Sequence, residues 1–176
     1  MSTPSARLMV FVGERFACVK IIGRANFTSS IDFRTLVSEL RAKHYNYFVL
    51  ELSECVLMDS TFLGVLAGLG LHMNPGDKAP EDRAIELLNP NPRISELLEN
   101  LGVLHLFKVT QGPLVMPNCK QSEHTCLGAS KEEVTSACLE AHQTLMAVNP
   151  ENVNRFKEVT QFLASDLKKL RAKTDA

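Results

Sequence analysis

Residues 48–70, FVLELSECVLMDSTFLGVLAGLG, combine a strand-like and a helix-like segment. An apolar run of strand length comes first, polar residues interrupt it at 58–61, and a longer apolar segment follows. This order predicts one strand-to-helix step of an α/β domain. Asp59, Ser60 and Thr61 are residue types that cap helices, because a side-chain oxygen accepts an otherwise unpaired backbone N–H. The pattern therefore predicts a hydroxyl at the positive end of a helix, either as a plain N-cap or as a phosphorylation site.

The segments before and after this stretch predict a sheet with helices packed on it. Two β-rich runs, at 8–12 and 16–22, flank Gly13-Glu14-Arg15, a combination typical of a β-hairpin. Strand-like runs then alternate with amphipathic segments, which indicates a mostly parallel sheet joined by right-handed crossovers. The predicted fold class is therefore α/β, with an N-terminal β-hairpin leading into a mostly parallel sheet with packed helices.

Caps and apolar spacing predict where the other elements begin and end. Ser130 and Glu133 form the capping box of one helix, and Asn91-Pro92 predicts the start of another helix, which ends at Gly102. The segment 111–129 lacks periodicity and is predicted to be a loop. The remaining predicted elements are a helix capped at 28–30, a strand at 47–52, a buried helix after Ser60 and a strand at 84–88.

A C-terminal helix follows these elements. Asn149-Pro150 predicts its start, and apolar residues then alternate at spacings of three and four, as in a coiled-coil seam. The seam consists of Val153, Phe156, Thr160, Leu163, Leu167 and Leu170. A seam this short is marginal for a free coiled coil. We expect it to pack against the helix at 131–148 as a helical hairpin, and a homodimer through the C-terminal helix is the alternative.

The motif LELSECVLMDSTFLGVLAGL resembles the signature of the STAS family, the domain of bacterial anti-sigma factor antagonists. In that family a strand ends in an acidic-then-polar pair, and Met-Asp-Ser-Ser/Thr-Gly-Leu-Gly follows. By position, Asp59 matches the aspartate, Ser60 the serine that an anti-sigma kinase phosphorylates, and Leu63-Gly64 the Leu-Gly pair. Phe62 stands where the family usually has glycine, and a bulky aromatic residue there is expected to crowd an incoming kinase.

The resemblance extends over most of the chain. It covers roughly residues 7–148 as a STAS-like domain, with insertions near 74–83 and 110–129, and leaves 149–176 as a C-terminal helical extension. The segment 97–107 is similar to the third helix and fifth strand of the family. The fold implied by the resemblance agrees with the α/β class predicted from the residue pattern.

The resemblance implies a protein-interaction module that acts as an anti-sigma factor antagonist. It would bind an anti-sigma factor with serine kinase activity and release a sigma factor, with Ser60 as the regulatory site and Thr61 as the less favoured hydroxyl. The implied partner-binding residues are Asp59, Ser60, Thr61, Phe62, Leu63 and Gly64. The kinase would supply ATP, so the chain itself needs no cofactor. The alternative is an accessory subunit of an ABC lipid-transport complex, or a signalling scaffold, in which the Ser60 region is a non-phosphorylated interface containing Phe62.

Composition argues against several other classes of protein. The formal net charge of −1 gives no indication of nucleic acid as a partner. No uninterrupted apolar run has the length that membrane insertion needs, and residues 1–7 lack the apolar core of a signal peptide, so we expect a cytoplasmic protein. The five histidines are scattered, and neither a nucleophile arrangement nor a phosphate-binding glycine loop is evident. The chain is therefore not expected to be an enzyme.

The five cysteines indicate neither a disulfide framework nor a metal site. Their number is odd, and none is part of a Cys-x-x-Cys pair. Cys119, His124 and Cys126 lie close together, yet a structural zinc site needs four ligands and a fourth is not evident. We therefore expect a polar loop without metal in this region.

Overall fold

The computed structural model describes residues 5–76, 78–114, 120–123 and 128–176. The strands are β1 Arg7–Val12, β2 Phe16–Ala25, β3 Tyr47–Glu51, β4 Cys55–Met58, β5 Ile85–Leu88, β6 Lys108–Thr110 and β7 Lys120–Glu123. The helices are α1 Phe27–Ala42, α2 Ser60–Met73, α3 Pro92–Asn100, α4 Lys131–Val148 and α5 Asn152–Thr174, and 3₁₀ turns occupy Pro80–Asp82 and Leu104–Leu106.

The described strands form a mixed sheet in the order β6-β5-β3-β2-β1-β7, with β4 paired to β2 outside this path. β1 is antiparallel to both of its neighbours, β2 and β7. The pairs β2–β3, β3–β5 and β5–β6 are parallel, as is β2–β4. The α/β class, the N-terminal hairpin and the mostly parallel sheet with packed helices are thus confirmed.

Two strands differ in position from the predicted ones. The predicted loop at 111–129 contains β7, whose backbone pairs with β1 from Met9 to Val12. The strand expected within 97–107 begins at Lys108 instead, because a 3₁₀ turn occupies Leu104–Leu106. Both strands are short and lie at the ends of the sheet, where pairing with a neighbour rather than local residue preference determines the structure.

A turn at Ser53 divides the apolar run of the central stretch into β3 and β4. The buried carboxylate of Glu51 accepts a hydrogen bond from the N–H of Ser53 at 3.0 Å and another from its hydroxyl at 2.9 Å. β4 then pairs with the end of β2, and the N–H of Asp59 donates to the carbonyl of Ala25 at 2.9 Å. The chain therefore begins α1 and α2 side by side, immediately after two paired strand ends.

The caps of the helices follow the predictions at α3 and α4 and differ at α1. Asn91 caps α3 and the capping box at 130–133 begins α4, as the sequence indicates. α1 begins earlier than the predicted cap at 28–30, because Asn26 and Ser29 together form a capping box. The side-chain oxygen of Asn26 occupies the position that we expected a hydroxyl to fill.

α1 and α2 pack against each other, α4 packs on both, and α5 packs on α4. The core between the helices and the sheet is aliphatic and aromatic, and the rings of Phe33 and Phe62 lie 5.1 Å apart within it. Burying each side chain of this size stabilises the fold by about 1.5–3 kcal/mol. The position and tilt of α2 are therefore held from beneath by the core and from above by α4.

The C-terminal helix folds back on α4, which confirms the predicted helical hairpin. Arg171 near the end of α5 forms an ion pair with Glu132 near the start of α4 at 3.1 Å. Asn152 at the start of α5 is buried and donates to the carbonyls of Leu145 and Leu101, at 2.8 and 2.9 Å. These contacts at opposite ends establish the antiparallel direction of the pair.

The start and the seam of α5 differ from the predictions in detail. Asn149 is the C-cap of α4 rather than the start of α5, which begins three residues later at Asn152. Val153 is exposed because Asn152 takes the inward position, whereas Thr160 and Leu167 are buried as predicted. Thr160 donates its hydroxyl to the carbonyl of Lys157 at 2.8 Å, which satisfies a polar group in an apolar seam. In the part of the chain that the structure describes, no helix is long and apolar enough to cross a membrane.

Candidate functional site

Asp59 is the N-cap of α2 and also contacts the start of α1. One carboxylate oxygen accepts the N–H of Phe62 at 2.8 Å, and the other accepts the N–H of Phe27 at 2.7 Å. Burial raises the pKa of this carboxyl above its ordinary value, and the hydrogen bonds from backbone N–H groups oppose that rise. One side chain thus satisfies an otherwise unpaired donor in each of two adjacent helices.

Ser60 is the first residue of α2, so the plain N-cap interpretation of Ser60 is wrong: Asp59 performs the capping. The Ser60 side chain is half-buried at the edge of the helix end. Its Oγ lies 2.9 Å from Nε2 of His142, a residue of α4 that is 82 positions away in the sequence. The predicted hydroxyl at the positive end of a helix is therefore present, and it forms a hydrogen bond with His142.

His142 is held in a defined orientation on the inner face of α4. Its Nδ1 lies 2.6 Å from the carbonyl oxygen of Cys138, and its ring makes an edge contact with the ring of Phe156 at 5.0 Å. A carbonyl only accepts hydrogen bonds, so Nδ1 carries a hydrogen and Nε2 of the neutral ring is the acceptor. The Ser60 hydroxyl therefore donates to His142, and a hydroxyl whose proton is held by an imidazole is suited to accept a phosphoryl or acyl group.

His142 was not identified as a candidate from the sequence, where it is one of five scattered histidines. It is 5% exposed. The spacing of Cys138, Ala141 and Leu145 predicts the apolar face of α4, and His142 lies beside that face. A histidine beside the apolar face of a predicted helix is the sequence feature that could have indicated a buried contact here.

Thr61 and Gly64 lie directly beneath α4. The hydroxyl of Thr61 donates to the sulfur of Cys138 at 3.5 Å, and burial raises the pKa of that thiol. A Cβ atom at Gly64 would overlap the carbonyl of Ala141 and would lie 2.7 Å from the Cβ of Ala141. The two helix backbones therefore approach more closely at Gly64 than a larger residue would permit.

Phe62 and Leu63 point into the core rather than toward the surface. Phe62 is 0% exposed, and its ring packs against Phe33 of α1. The expected crowding of an approaching kinase by Phe62 is therefore wrong for this conformation, because the third position of α2 faces the sheet. Both side chains anchor the helix that carries Ser60.

An open groove of about 290 Å³ lies beside the starts of α1 and α2. Its lining includes Arg24, Phe27 and Asp59, and the ring of Phe27 is 47% exposed. Val56 on β4 is 55% exposed as well. The surface around the two helix starts thus presents apolar side chains next to charged ones.

The structure gives no support for a metal centre among the residues it describes. No group of three or more histidine, cysteine, aspartate or glutamate side chains in residues 5–76, 78–114, 120–123 and 128–176 is placed to hold a metal ion. Cys119, His124 and Cys126 lie outside the described residues.

Comparison with known proteins gives a family match and two similar folds. The STAS domain model matches residues 8–114, and no curated protein matches the chain. A Thermotoga maritima protein described as an anti-sigma factor antagonist is 18% identical, with a TM-score of 0.50 over 58% of this chain and 85% of that chain. The anti-sigma factor antagonist SpoIIAA in its unphosphorylated form is 14% identical, with a TM-score of 0.47 over 62% of this chain and 90% of that chain. At these identities the likeness concerns the fold. α4 and α5 lie beyond residues 8–114, the part of the chain that the STAS domain model matches.

Proposed function

The chain belongs to the STAS domain family, and from that membership we propose that it is an anti-sigma factor antagonist regulated at Ser60. In the unmodified state it binds an anti-sigma factor with serine kinase activity and so releases a sigma factor. The kinase uses its own ATP to phosphorylate Ser60, and the phosphorylated chain leaves the complex. The protein acts in the cytoplasm as a binding module, without catalysis or a cofactor of its own.

The observation that carries this proposal is the placement of Ser60. Its half-buried side chain stands on the first residue of α2, immediately after the capping Asp59, which lines the open groove at the two helix starts. A phosphate adds about −1.5 to −2 charges at pH 7. The positive end of the helix tolerates this charge, so the fold survives modification. An interface pressed against the same position loses affinity through repulsion and desolvation.

The proposed partner surface consists of Asp59 and Ser60 together with the groove beside them, and the rest of the segment 59–64 supports it. Asp59 lines the groove, where Phe27 adds exposed apolar area, and the half-buried Ser60 follows it in the chain. Thr61 and Gly64 face α4, and Phe62 and Leu63 determine the position of the segment from the core. Direct contact is expected first at Asp59 and Ser60.

The proposal is tested by incubating the chain with an anti-sigma kinase from the same genome and ATP, followed by phosphopeptide mass spectrometry. We expect one phosphate on Ser60, which Ser60→Ala removes. Thr61→Ala is the matched control and should retain the phosphate, because its hydroxyl lies beneath α4. A kinase that binds the chain tightly and turns over ATP, yet leaves Ser60 unmodified, would contradict the proposal.

A second candidate function is an interface role without phosphorylation, in an ABC lipid-transport complex or a signalling scaffold. The observation that favours it is the hydrogen bond from Ser60 to His142, which gives the hydroxyl a structural partner. In that case the native chain and Ser60→Ala would bind the partner equally well, and Ser60 would carry no phosphate in cells. The same mass spectrometry therefore distinguishes the two functions.

A further inference from the structure

We propose that His142 is the internal binding group for phosphorylated Ser60 and that the phosphate locks the α4–α5 hairpin onto α2. This inference rests on the proposed function in one respect, namely that Ser60 is phosphorylated. When the Oγ–P bond forms, the bond from the γ-phosphorus of ATP to the β,γ-bridging oxygen breaks. ADP leaves with that oxygen, and the hydroxyl proton of Ser60 is released. His142 takes up one proton, so that the phosphate lies beside an imidazolium.

The hydrogen bonds of His142 require this protonation. Nδ1 already donates to the carbonyl of Cys138 at 2.6 Å, which leaves Nε2 as the nitrogen that faces Ser60 at 2.9 Å. After phosphorylation Oγ has no hydrogen, and a neutral Nε2 would direct its lone pair at an ester oxygen. The ring is 95% buried, so water cannot readily replace the lost donor. A protonated Nε2 instead donates to a phosphate oxygen and forms a charge-assisted hydrogen bond.

A carboxylate, a thiol and an aromatic ring face the imidazole of His142. From α2, the carboxylate of Asp59 lies close enough to interact with the ring electrostatically. From α4, the thiol of Cys138 has a raised pKa and stays neutral near pH 7. From α5, Phe156 presents an aromatic ring, which carries no charge. The new phosphate places about −1.5 to −2 charges beside a ring that otherwise faces one carboxylate.

The lock extends from the phosphate to the C-terminal helix. α4 meets α2 at Gly64 with almost no space between the backbones, and His142 contacts Phe156 of α5. A stronger Ser60–His142 link therefore keeps Thr61 and Gly64 covered and holds α5 in place. Phosphorylation would thus keep this part of the 59–64 segment covered, in addition to repelling a partner at Ser60.

The test uses the full chain with phosphoserine inserted at position 60 during translation, so no kinase is needed. Hydrogen exchange is followed by mass spectrometry in the peptides of α4 and α5. We expect exchange there to slow about fivefold or more relative to the unmodified chain. We expect ¹⁵N NMR at neutral pH to show both ring nitrogens of His142 protonated. Unchanged or faster exchange, or a neutral His142, overturns the proposal.

His142→Gln in the phosphoserine chain is the matched variant, since it keeps an amide donor without a positive charge. It should abolish the slowing, whereas His72→Gln on the exposed end of α2 should retain it. Slowing that persists in His142→Gln also overturns the proposal. If His142→Gln does not fold, the NMR measurement on the native histidine decides the question by itself.

The two proposals fail in different ways. A phosphoserine chain that loses its anti-sigma partner, while α4 and α5 exchange as before, removes the lock and leaves the proposed function standing. A phosphoserine chain that shows the lock, in a protein that no anti-sigma kinase modifies at Ser60, supports the internal phosphate contact and removes the proposed function.

Discussion

Asp59 contributes to both helix starts, since it caps α2 and adds an acceptor to α1 beside the capping box of Asn26. Its two oxygens accept hydrogen bonds from the backbone N–H groups of Phe62 and Phe27, which lie in the first turns of two different helices. The sequence motif predicted a cap among Asp59, Ser60 and Thr61, because all three residue types have suitable oxygens. The second hydrogen bond, to α1, follows from the pairing of β2 with β4 and could not be predicted from spacing.

Replacing Asp59 tests this double role. Asp59→Ala removes an acceptor from two helices, and we expect it to lower the free energy of unfolding by about 2 kcal/mol, as measured by urea denaturation. Ser53→Ala is a suitable comparison, because Ser53 accounts for the turn after β3 rather than for a helix start. Equal stability of Asp59→Ala and the native chain would contradict the role.

The same residue gives a pH dependence, measured against the non-titrating variant Asp59→Asn. Burial raises the pKa of Asp59 in the folded chain above the ordinary value of 3.8. Between these two pKa values the folded state binds the proton more tightly than the unfolded state, so acidification through that window stabilises the fold. We therefore expect the free energy of unfolding of the native chain to rise relative to that of Asp59→Asn as the pH falls from 7 toward 4. If the native chain instead loses stability relative to Asp59→Asn, the hydrogen bonds from backbone N–H groups affect the pKa of Asp59 more than burial does.

Residue roles were predictable where they depend on neighbouring positions, and not where they depend on distant ones. Asp59 and Ser60 could be assigned to a helix start from local residue types. Phe62 could not be oriented, because its direction depends on how α2 lies on the sheet. The contact of Ser60 with His142 spans 82 positions, and no local pattern contains it.

At the scale of the elements, α2 and α4 approach each other closely at Gly64. A Cβ there would overlap the backbone carbonyl of Ala141, whereas a Cβ at Gly68, one turn later, would lie 3.9 Å from a methyl group of Thr144. Glycine in a helix otherwise costs about 1 kcal/mol relative to alanine. Gly64 is therefore retained for packing, while Gly68 has space for a methyl group.

Alanine at these two glycines should have opposite effects. Gly64→Ala should destabilise the fold by about 1–3 kcal/mol, because the backbone of α4 must move. Gly68→Ala should leave stability unchanged or raise it by up to about 1 kcal/mol. Urea denaturation of both variants measures the contrast. Equal effects at the two positions would contradict the close contact between α2 and α4.

Elements with strong internal patterns were predicted correctly, and elements that depend on a partner were not. The capping box of α4 and the apolar seam of α5 are properties of their own sequences, and both helices are present. β7 contains no such pattern and exists through its pairing with β1. The division of the chain at 148/149 stays a prediction, although α5 packs on α4 across it.

At the scale of the whole molecule, the C-terminal helix packs on α4, which in turn packs on α2. Buried Asn152 connects it to Leu101 and Leu145, and Leu167 is buried farther along. The apolar seam that indicated either a hairpin or a dimer is thus partly covered within one chain, most fully at Thr160 and Leu167. This contact is the physical reason to expect a monomer.

Truncation after Asn149 tests that expectation. Sedimentation should show the full chain as a monomer, and the truncated chain should melt at a lower temperature because α4 loses its cover. Each large apolar side chain returned to water forgoes about 1.5–3 kcal/mol. A dimeric full chain that becomes a stable monomer on truncation would instead indicate that α5 is a dimerisation helix.

The pairing of β1 with β7 also has a consequence for synthesis on the ribosome. β1 and β2 emerge early, yet the outer edge of β1 finds its partner only when residues 120–123 have been made. At about 5–20 residues per second, the nascent chain exposes that edge for about 5–20 s. An unpaired strand edge is a template for aggregation. A fragment cut to the matched residues 8–114 would keep this edge open permanently.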